Sequence, residues 1–416
     1  MNRDLEQTIK ELLLQKQPII LYGPPSVGKS YLLRSISENG PVKNYILCDL
    51  NIDKDFREYF IRSLDNGDCL TKIISVYFNL NLDYVQKSLL FLMDGIECLR
   101  DKIQLFMKGE LPTYFVAATS RIDYLSNFVQ EHTSYCKFIK VSTFSFYEFL
   151  DAIGGDESSY SDILKAHYSN HKPIPNIIET EIMELFHDYL MVGGYPEAIQ
   201  RYKEHRTNLT EIRKIHEQIY ATTLLRYTND IPDGISTVRI IQLYEYISQY
   251  ASDSKSKFMP GHIRRGAQTK EFIDEITFLS DNGALIPVYR NGELYRFEPG
   301  DCGIQRYIVN DYDFFYKLDG NDLLPDYFYQ NYLYHFLFGK GLKITLLKSD
   351  SDCYSPYYSD RICILLLKNN SEINRRKTLS SECNFSGTYI RIYDKAMNPN
   401  FDDHNISYYY LEQTQF

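Results

Sequence analysis

The stretch Gly23-Pro24-Pro25-Ser26-Val27-Gly28-Lys29-Ser30 constrains this chain more than any other part of it. It fits the pattern G-x-x-x-x-G-K-[ST] at every defined position, and it follows Pro18-Ile19-Ile20-Leu21-Tyr22, a short apolar run that reads as a buried strand. Ser30 to Ile36 then reads as an amphipathic helix. Strand, glycine loop and helix in that order turn backbone N–H groups at a helix N-terminus toward a polyphosphate. In such a loop Lys29 reaches the β and γ phosphates and the Ser30 hydroxyl ligates Mg²⁺. The expected contact set runs from Gly23 to Ser30 and takes in the next residue, Tyr31.

Residues 1–155 alternate strands and helices as an α/β domain with a parallel sheet does. Beyond the loop, the runs 44–49, 88–94, 113–120 and 138–141 are short and apolar, and most of them end in a polar residue. Ligands on open α/β sheets sit outside the carboxyl ends of the strands, so Asp49, Asp94, Thr119 and Ser120 should gather near the loop. The cluster Gly154-Gly155-Asp156-Glu157-Ser158-Ser159 reads as a linker, after which residues 156–230 turn helical, punctuated by Gly193-Gly194-Tyr195-Pro196. This block reads as a helical lid.

Residues 231–312 hold a helix at 238–247, a turn through Met259-Pro260-Gly261, a second helix at 269–279, then Asp281-Asn282-Gly283 and an alternating strand. Helix, turn, helix and hairpin-like wing fit a winged helix. Residues 313–416 open on the aromatic helix 326–337 and continue with strand-like runs at 343–347, 362–368 and 389–393, a small α/β domain.

A chain of 416 residues exceeds the usual single core, so two to four domains are expected. No apolar run approaches the roughly 20 residues a membrane helix needs, and the first residues lack the apolar core of a secretory signal. A cytoplasmic protein with no membrane role is the expectation. Eight cysteines without a C-x-x-C pair indicate neither a zinc site nor a disulfide framework. A net charge of -10 argues against global attraction to nucleic acid and leaves room for a local basic face.

Hydrolysis needs more than a cradle: an apolar strand ending in an Asp that orients Mg²⁺, with a neighbouring Glu polarising the attacking water. Leu89 to Asp94 supplies strand and Asp, but the next residue is Gly95. The expectation is binding with slow or absent hydrolysis, unless Glu97, two residues further on, substitutes. Thr119 and Ser120 are either polar sensors of the γ-phosphate or caps of a strand-to-helix turn. Arg121 and Arg226 either stabilise transition-state charge or lie on the surface.

The order of these motifs resembles that of the bacterial and archaeal AAA-type ATPases that carry a helical lid, a winged helix and a C-terminal restriction-endonuclease-like domain. The resemblance implies ATP as the nucleotide. The family's D-E-I-Q falls on Asp94-Gly95-Ile96-Glu97, T-G-S-S on Ala117-Ala118-Thr119-Ser120, and P-L-S-F-x-E-F on Thr143 to Phe149. The lid motif G-G-x-P-E-A is intact at Gly193 to Ala198, whereas R-D-I reads Asn229-Asp230-Ile231 and the family arginine is replaced near Tyr135. K-x-Y-x-x-D is similar to Arg306 to Asp311. In the nuclease-like block the helix glutamate falls near Gln330, and the acidic and E-x-K elements match only Asp360 and Leu366-Leu367-Lys368. Metal-dependent cleavage needs several converging carboxylates, so the resemblance implies a degenerate nuclease fold used for contact.

Two functions follow. In the first, ATP and Mg²⁺ fix core against lid as a switch for a protein partner or a second copy of the chain. In the second, a working ATPase couples to DNA through His262, Arg264, Arg265 and Lys270, although acidic Glu271, Asp274 and Glu275 lie close by.

Overall fold

The computed structural model describes residues 4–103, 111–121, 136–170, 172, 174–206, 209–229, 231–250, 257–290, 292–300, 326–340, 343–346, 356–359, 362–367, 388–393 and 405–407. Tyr135, Asp230, Arg306 to Asp311, Asp360 and Lys368 lie outside them. The chain divides into two compact units, the first made of residues 1–142 and 222–235, the second of 143–221 and 236–416.

In the first unit, helix α1 (Asp4–Leu14) leads to strand β1 (Ile19–Tyr22) and helix α2 (Lys29–Asn39). Strand β2 (Tyr45–Asp49) follows, then helices α3 (Lys54–Asp65), α4 (Leu70–Tyr77) and α5 (Leu82–Lys87). Strand β3 (Leu90–Asp94), a 3₁₀ segment (Ile96–Lys102), strand β4 (Tyr114–Thr119) and strand β5 (Lys137–Lys140) complete it. All five strands are parallel in the order β2-β3-β4-β1-β5.

Parallel strands covered on both faces read as unbroken apolar runs, and Leu90, Phe91, Leu92 and Met93 are all fully buried. One face packs on α3, α4 and α5 through an aromatic cluster in which Phe56 stacks on Phe60 at 5.7 Å and Phe91 on Phe115 at 6.5 Å. Such ring pairs contribute about 0.5–1.5 kcal/mol beyond their area. The Asp53 side chain starts α3 by accepting from the Phe56 amide at 3.0 Å, a cap worth about 1 kcal/mol. Register pairs Asp49 with Asp94 and Tyr22 with Thr119, so the strand ends finish level with the loop that follows β1.

The second unit begins with helix α6 (Phe146–Ile153), whose Ser145 and Glu148 form a reciprocal capping box. Helices α7 (Ser158–Ser169), α8 (Asn176–Val192), α9 (Pro196–Glu204) and α10 (Leu209–Thr228) follow, and residues 222–228 of α10 group with the first unit. Gly194 is a close approach: a Cβ there would lie 2.3 Å from the Phe144 carbonyl oxygen. Next come helices α11 (Thr237–Tyr250), α12 (Pro260–Ile263), a 3₁₀ turn (Thr269–Phe272) and α13 (Ile273–Asp281). The antiparallel pair β6 (Leu285–Arg290) and β7 (Glu293–Pro299) and helix α14 (Asp326–Gly339), which carries Gln330, precede β8 (Ile344–Leu346), β9 (Pro356–Ser359), β10 (Ile362–Leu367), β11 (Thr388–Tyr393) and β12 (Asn405–Ser407). Because β6 runs parallel to β8, strands from 231–312 and from 313–416 share one sheet, ordered β12-β11-β10-β9-β8-β6-β7. Among the described residues no helix is long and apolar enough to cross a membrane.

His216, on α10, is buried and donates from Nε2 to the Val192 carbonyl at 2.8 Å. Burial pushes its pKa down to about 4, partly opposed by that bond. The unfolded state therefore takes up a proton that the folded state refuses. The stability this neutral ring contributes is complete above about pH 6.5 and drains away toward pH 4, roughly 3 kcal/mol across the window. Melting temperature measured from pH 7 to pH 4.5 should fall less steeply in His216→Gln than in the wild type. Parallel slopes would refute the assignment.

Candidate functional site

Strand β1 ends at Tyr22 and the chain turns through residues 23–28 before α2 starts at Lys29. Gly23 is glycine because the loop runs against backbone: a Cβ there would lie 2.0 Å from the Val141 carbonyl oxygen. Gly28 sits at φ 94° as the residue before the helix, a left-handed conformation that suits glycine. The loop thus curls over the open N-terminus of an eleven-residue helix whose first amides have no intrahelical acceptor.

Lys29 is buried and its ammonium folds back on the loop, donating to the carbonyls of Gly23 at 2.9 Å and Pro24 at 2.6 Å. Desolvation lowers its pKa to about 8, while the nearby Glu97 and Asp94 carboxylates pull the other way. It stays charged at neutral pH. Asp94 closes β3, and its Oδ1 accepts from the Gly95 amide at 2.9 Å. Burial raises the Asp94 pKa, opposed first by a hydrogen bond from Ser30 and raised further by Glu97 and Asp49.

These groups line a cavity of about 290 Å³ within the first unit. Of the residues expected at the site, Pro25, Ser26, Gly28, Lys29, Ser30, Asp94, Glu97 and Ser120 border it. Gly23 and Pro24 stand behind the loop as acceptors for Lys29, Val27 is fully buried in the core, and Tyr31 is 49% exposed on α2. Thr119 stands apart from it as well. Its hydroxyl donates to the Arg121 carbonyl at 2.9 Å and accepts from the Arg121 amide at 3.1 Å, the turn-capping arrangement, so Ser120 alone of the pair meets the cavity. Arg121 is a brace, donating to the Asn229 carbonyl at 3.3 Å.

Asp49, expected near the loop, and Arg226, one of the two arginines the sequence singles out, border the cavity as well, and Asn51 and Thr222 join them. Arg226 Nη1 donates to Asn51 Oδ1 at 3.0 Å and lies 3.5 Å from Glu97 Oε1, while Glu97 Oε2 accepts from the Ser120 amide at 3.3 Å. The Cys98 thiol donates to the same Asn51 oxygen at 3.3 Å. Gly95 stands where a side chain would crowd Asn51. Its φ is 74°, and a Cβ there would lie 2.2 Å from Asn51 Nδ2. Asn51 announced itself only by following a strand that ends in Asp49, and Thr222 joins from a helix with no local motif to mark it.

A lysine buried at a helix N-terminus behind a glycine loop, with one strand between the loop strand and the Asp94 strand, decides the class. The fold is that of a P-loop nucleoside triphosphatase. Its candidate cations for DNA, His262, Arg264, Arg265 and Lys270, are all exposed in the second unit, and Arg264 is paired with Glu271 at 2.5 Å.

No family model and no curated protein matches the chain. Among solved structures it is similar to a RuvB mutant from Thermotoga maritima, at 15% identity over 68% of this chain and 87% of that one, with a TM-score of 0.32. It is similar to AMPPCP-bound DnaA from Aquifex aeolicus, at 14% identity over 66% and 86% of the two chains with a TM-score of 0.23. A third similarity is to C. elegans PCH-2, at 15% identity over 40% and 48% with a TM-score of 0.23. Likenesses this distant say nothing of activity; the P-loop fold rests on sheet order and loop geometry.

Proposed function

We propose that the first unit binds ATP with Mg²⁺ and serves as a nucleotide-dependent switch of the AAA type that turns ATP over slowly. The observation that carries this reading is the convergence of Lys29, Ser30 and Asp94 on one cavity with an open helix N-terminus. The residues fit the group. Gly28 puts no side chain over the helix N-terminus, and the hydroxyl of Ser30 and the carboxylate of Asp94 are hard oxygen donors of the kind Mg²⁺ takes alongside phosphate and water. Held by Ser30 and Asp94, the metal would supply positive charge that neutralises the phosphates. Lys29 exchanges the carbonyls of Gly23 and Pro24 for phosphate oxygens, and the loop amides and helix N-terminus hold the remaining charge.

Slow turnover follows from position 95. With no carboxylate next to Asp94, polarising a water falls to Glu97, which borders the cavity from two residues further on and stays tied through Oε2 to the Ser120 amide. Ser120, which lines the cavity, would meet the γ-phosphate there, and Thr119 caps the turn that carries it. The helical block, a winged helix over 231–312 and a degenerate nuclease-like block over 313–416 would carry the switch to a protein partner or a second copy of the chain. Titration calorimetry with Mg²⁺ present should give heat for ATP. Silence for every purine triphosphate would overturn the reading.

A further inference from the structure

The charged groups facing one another across the cavity are satisfied from within the protein. Lys29 is spent on two loop carbonyls, and Glu97 is held between the Ser120 amide and Arg226. Arg226 is itself held in place by Asn51 Oδ1 at 3.0 Å, and the Asn51 side chain is packed over the bare Cα of Gly95. The arginine side chain is 39% exposed and the glutamate 11%, so the pair sits at the mouth of the cavity, where an entering anion meets the cation first.

We propose that Glu97 and Arg226 form an ionic latch that the third phosphate of a nucleotide opens. The proposal rests on the nucleotide reading above and assigns regulation to the same site. A terminal phosphate arriving beside Lys29 offers Arg226 a stronger, more highly charged partner than one carboxylate. Arg226 then leaves Glu97, whose freed Oε1 becomes the acceptor for a water next to that phosphate. A diphosphate has no group at that distance from the loop and leaves the latch shut. Two costs oppose triphosphate binding while the latch exists: the ion pair must break, and Glu97 repels the new charge. Only the first requires Arg226, and the two are separable by a double-mutant cycle.

The cycle uses the full chain as wild type, Glu97→Gln, Arg226→Gln and the double variant, each titrated by calorimetry with ATP and with ADP in the presence of Mg²⁺. Glu97→Gln should tighten ATP binding more when Arg226 is present than in the Arg226→Gln background. A half-exposed ion pair makes that excess up to about fivefold. The ADP cycle should be flat, and Arg226→Lys should keep the ATP coupling. Equal tightening by ATP in both backgrounds, or equal coupling for ATP and ADP, overturns the latch while leaving nucleotide binding intact. No heat from the wild type with either nucleotide overturns the nucleotide reading and the latch with it.

Discussion

Lys29→Ala is expected to weaken ATP binding about a hundredfold and to remove most of the thermal stabilisation that nucleotide gives the wild type. Each charge-assisted bond from an ammonium to phosphate contributes about 1.5–3 kcal/mol, and Lys29 is placed to make two. Against this, the free protein gives up bonds of 2.9 and 2.6 Å to Gly23 and Pro24, which returns a share of the gain. A net loss near 3 kcal/mol corresponds to about two decades in Kd. At a hundred times the wild-type Kd, the ligand stabilises the fold by about 2.7 kcal/mol, and the variant should show less than a quarter of that. The empty variant should fold normally, because the truncated side chain leaves two loop carbonyls beside an open, water-accessible cavity. ATP affinity unchanged by Lys29→Ala would mean that the loop holds something other than a polyphosphate.

The parts of this arrangement that are legible in the sequence are those that local sequence determines. The loop between Gly23 and Ser30 is one uninterrupted pattern, and the apolar runs ending at Asp49, Asp94 and Thr119 fold as strands within a residue or two of where their composition places them. Sheet order is not local. Nothing in the run Leu90 to Met93 says that it lies one strand away from β1; that follows from packing of α3, α4 and α5 on the Phe56 and Phe91 cluster. Thr119 and Ser120 are chemically alike in a sequence, but Thr119 is the last residue of β4 with its hydroxyl held in the turn, whereas Ser120, just past the strand, lines the cavity. Arg226 lies 197 positions from Lys29 along the chain, read as a difference of their numbers, and only the path of α10 brings it to the same cavity. Gly95 is visible as a missing carboxylate, but its cause, an Asn51 side chain lying where a Cβ would be, needs coordinates.

Glu97→Gln should reduce residual ATP turnover by about 10²–10⁴, the span that a positioned general base commands, without weakening ATP affinity. Gln keeps the size and the acceptor for the Ser120 amide, so the variant tests charge and basicity rather than packing. The converse variant, Gly95→Glu, restores the missing carboxylate in sequence and should nonetheless fail to raise turnover. A side chain at φ 74° costs about 1–2 kcal/mol, and Asn51 must vacate the space and release Arg226 as it goes. That strain should lower the melting temperature by several degrees for a unit of this size. The pair of results separates two accounts of slow hydrolysis. If the base has moved from 95 to 97, turnover follows Glu97 and ignores Gly95→Glu. If the base is simply absent, Gly95→Glu accelerates hydrolysis and Glu97→Gln is silent, and Glu97 is then no base at all.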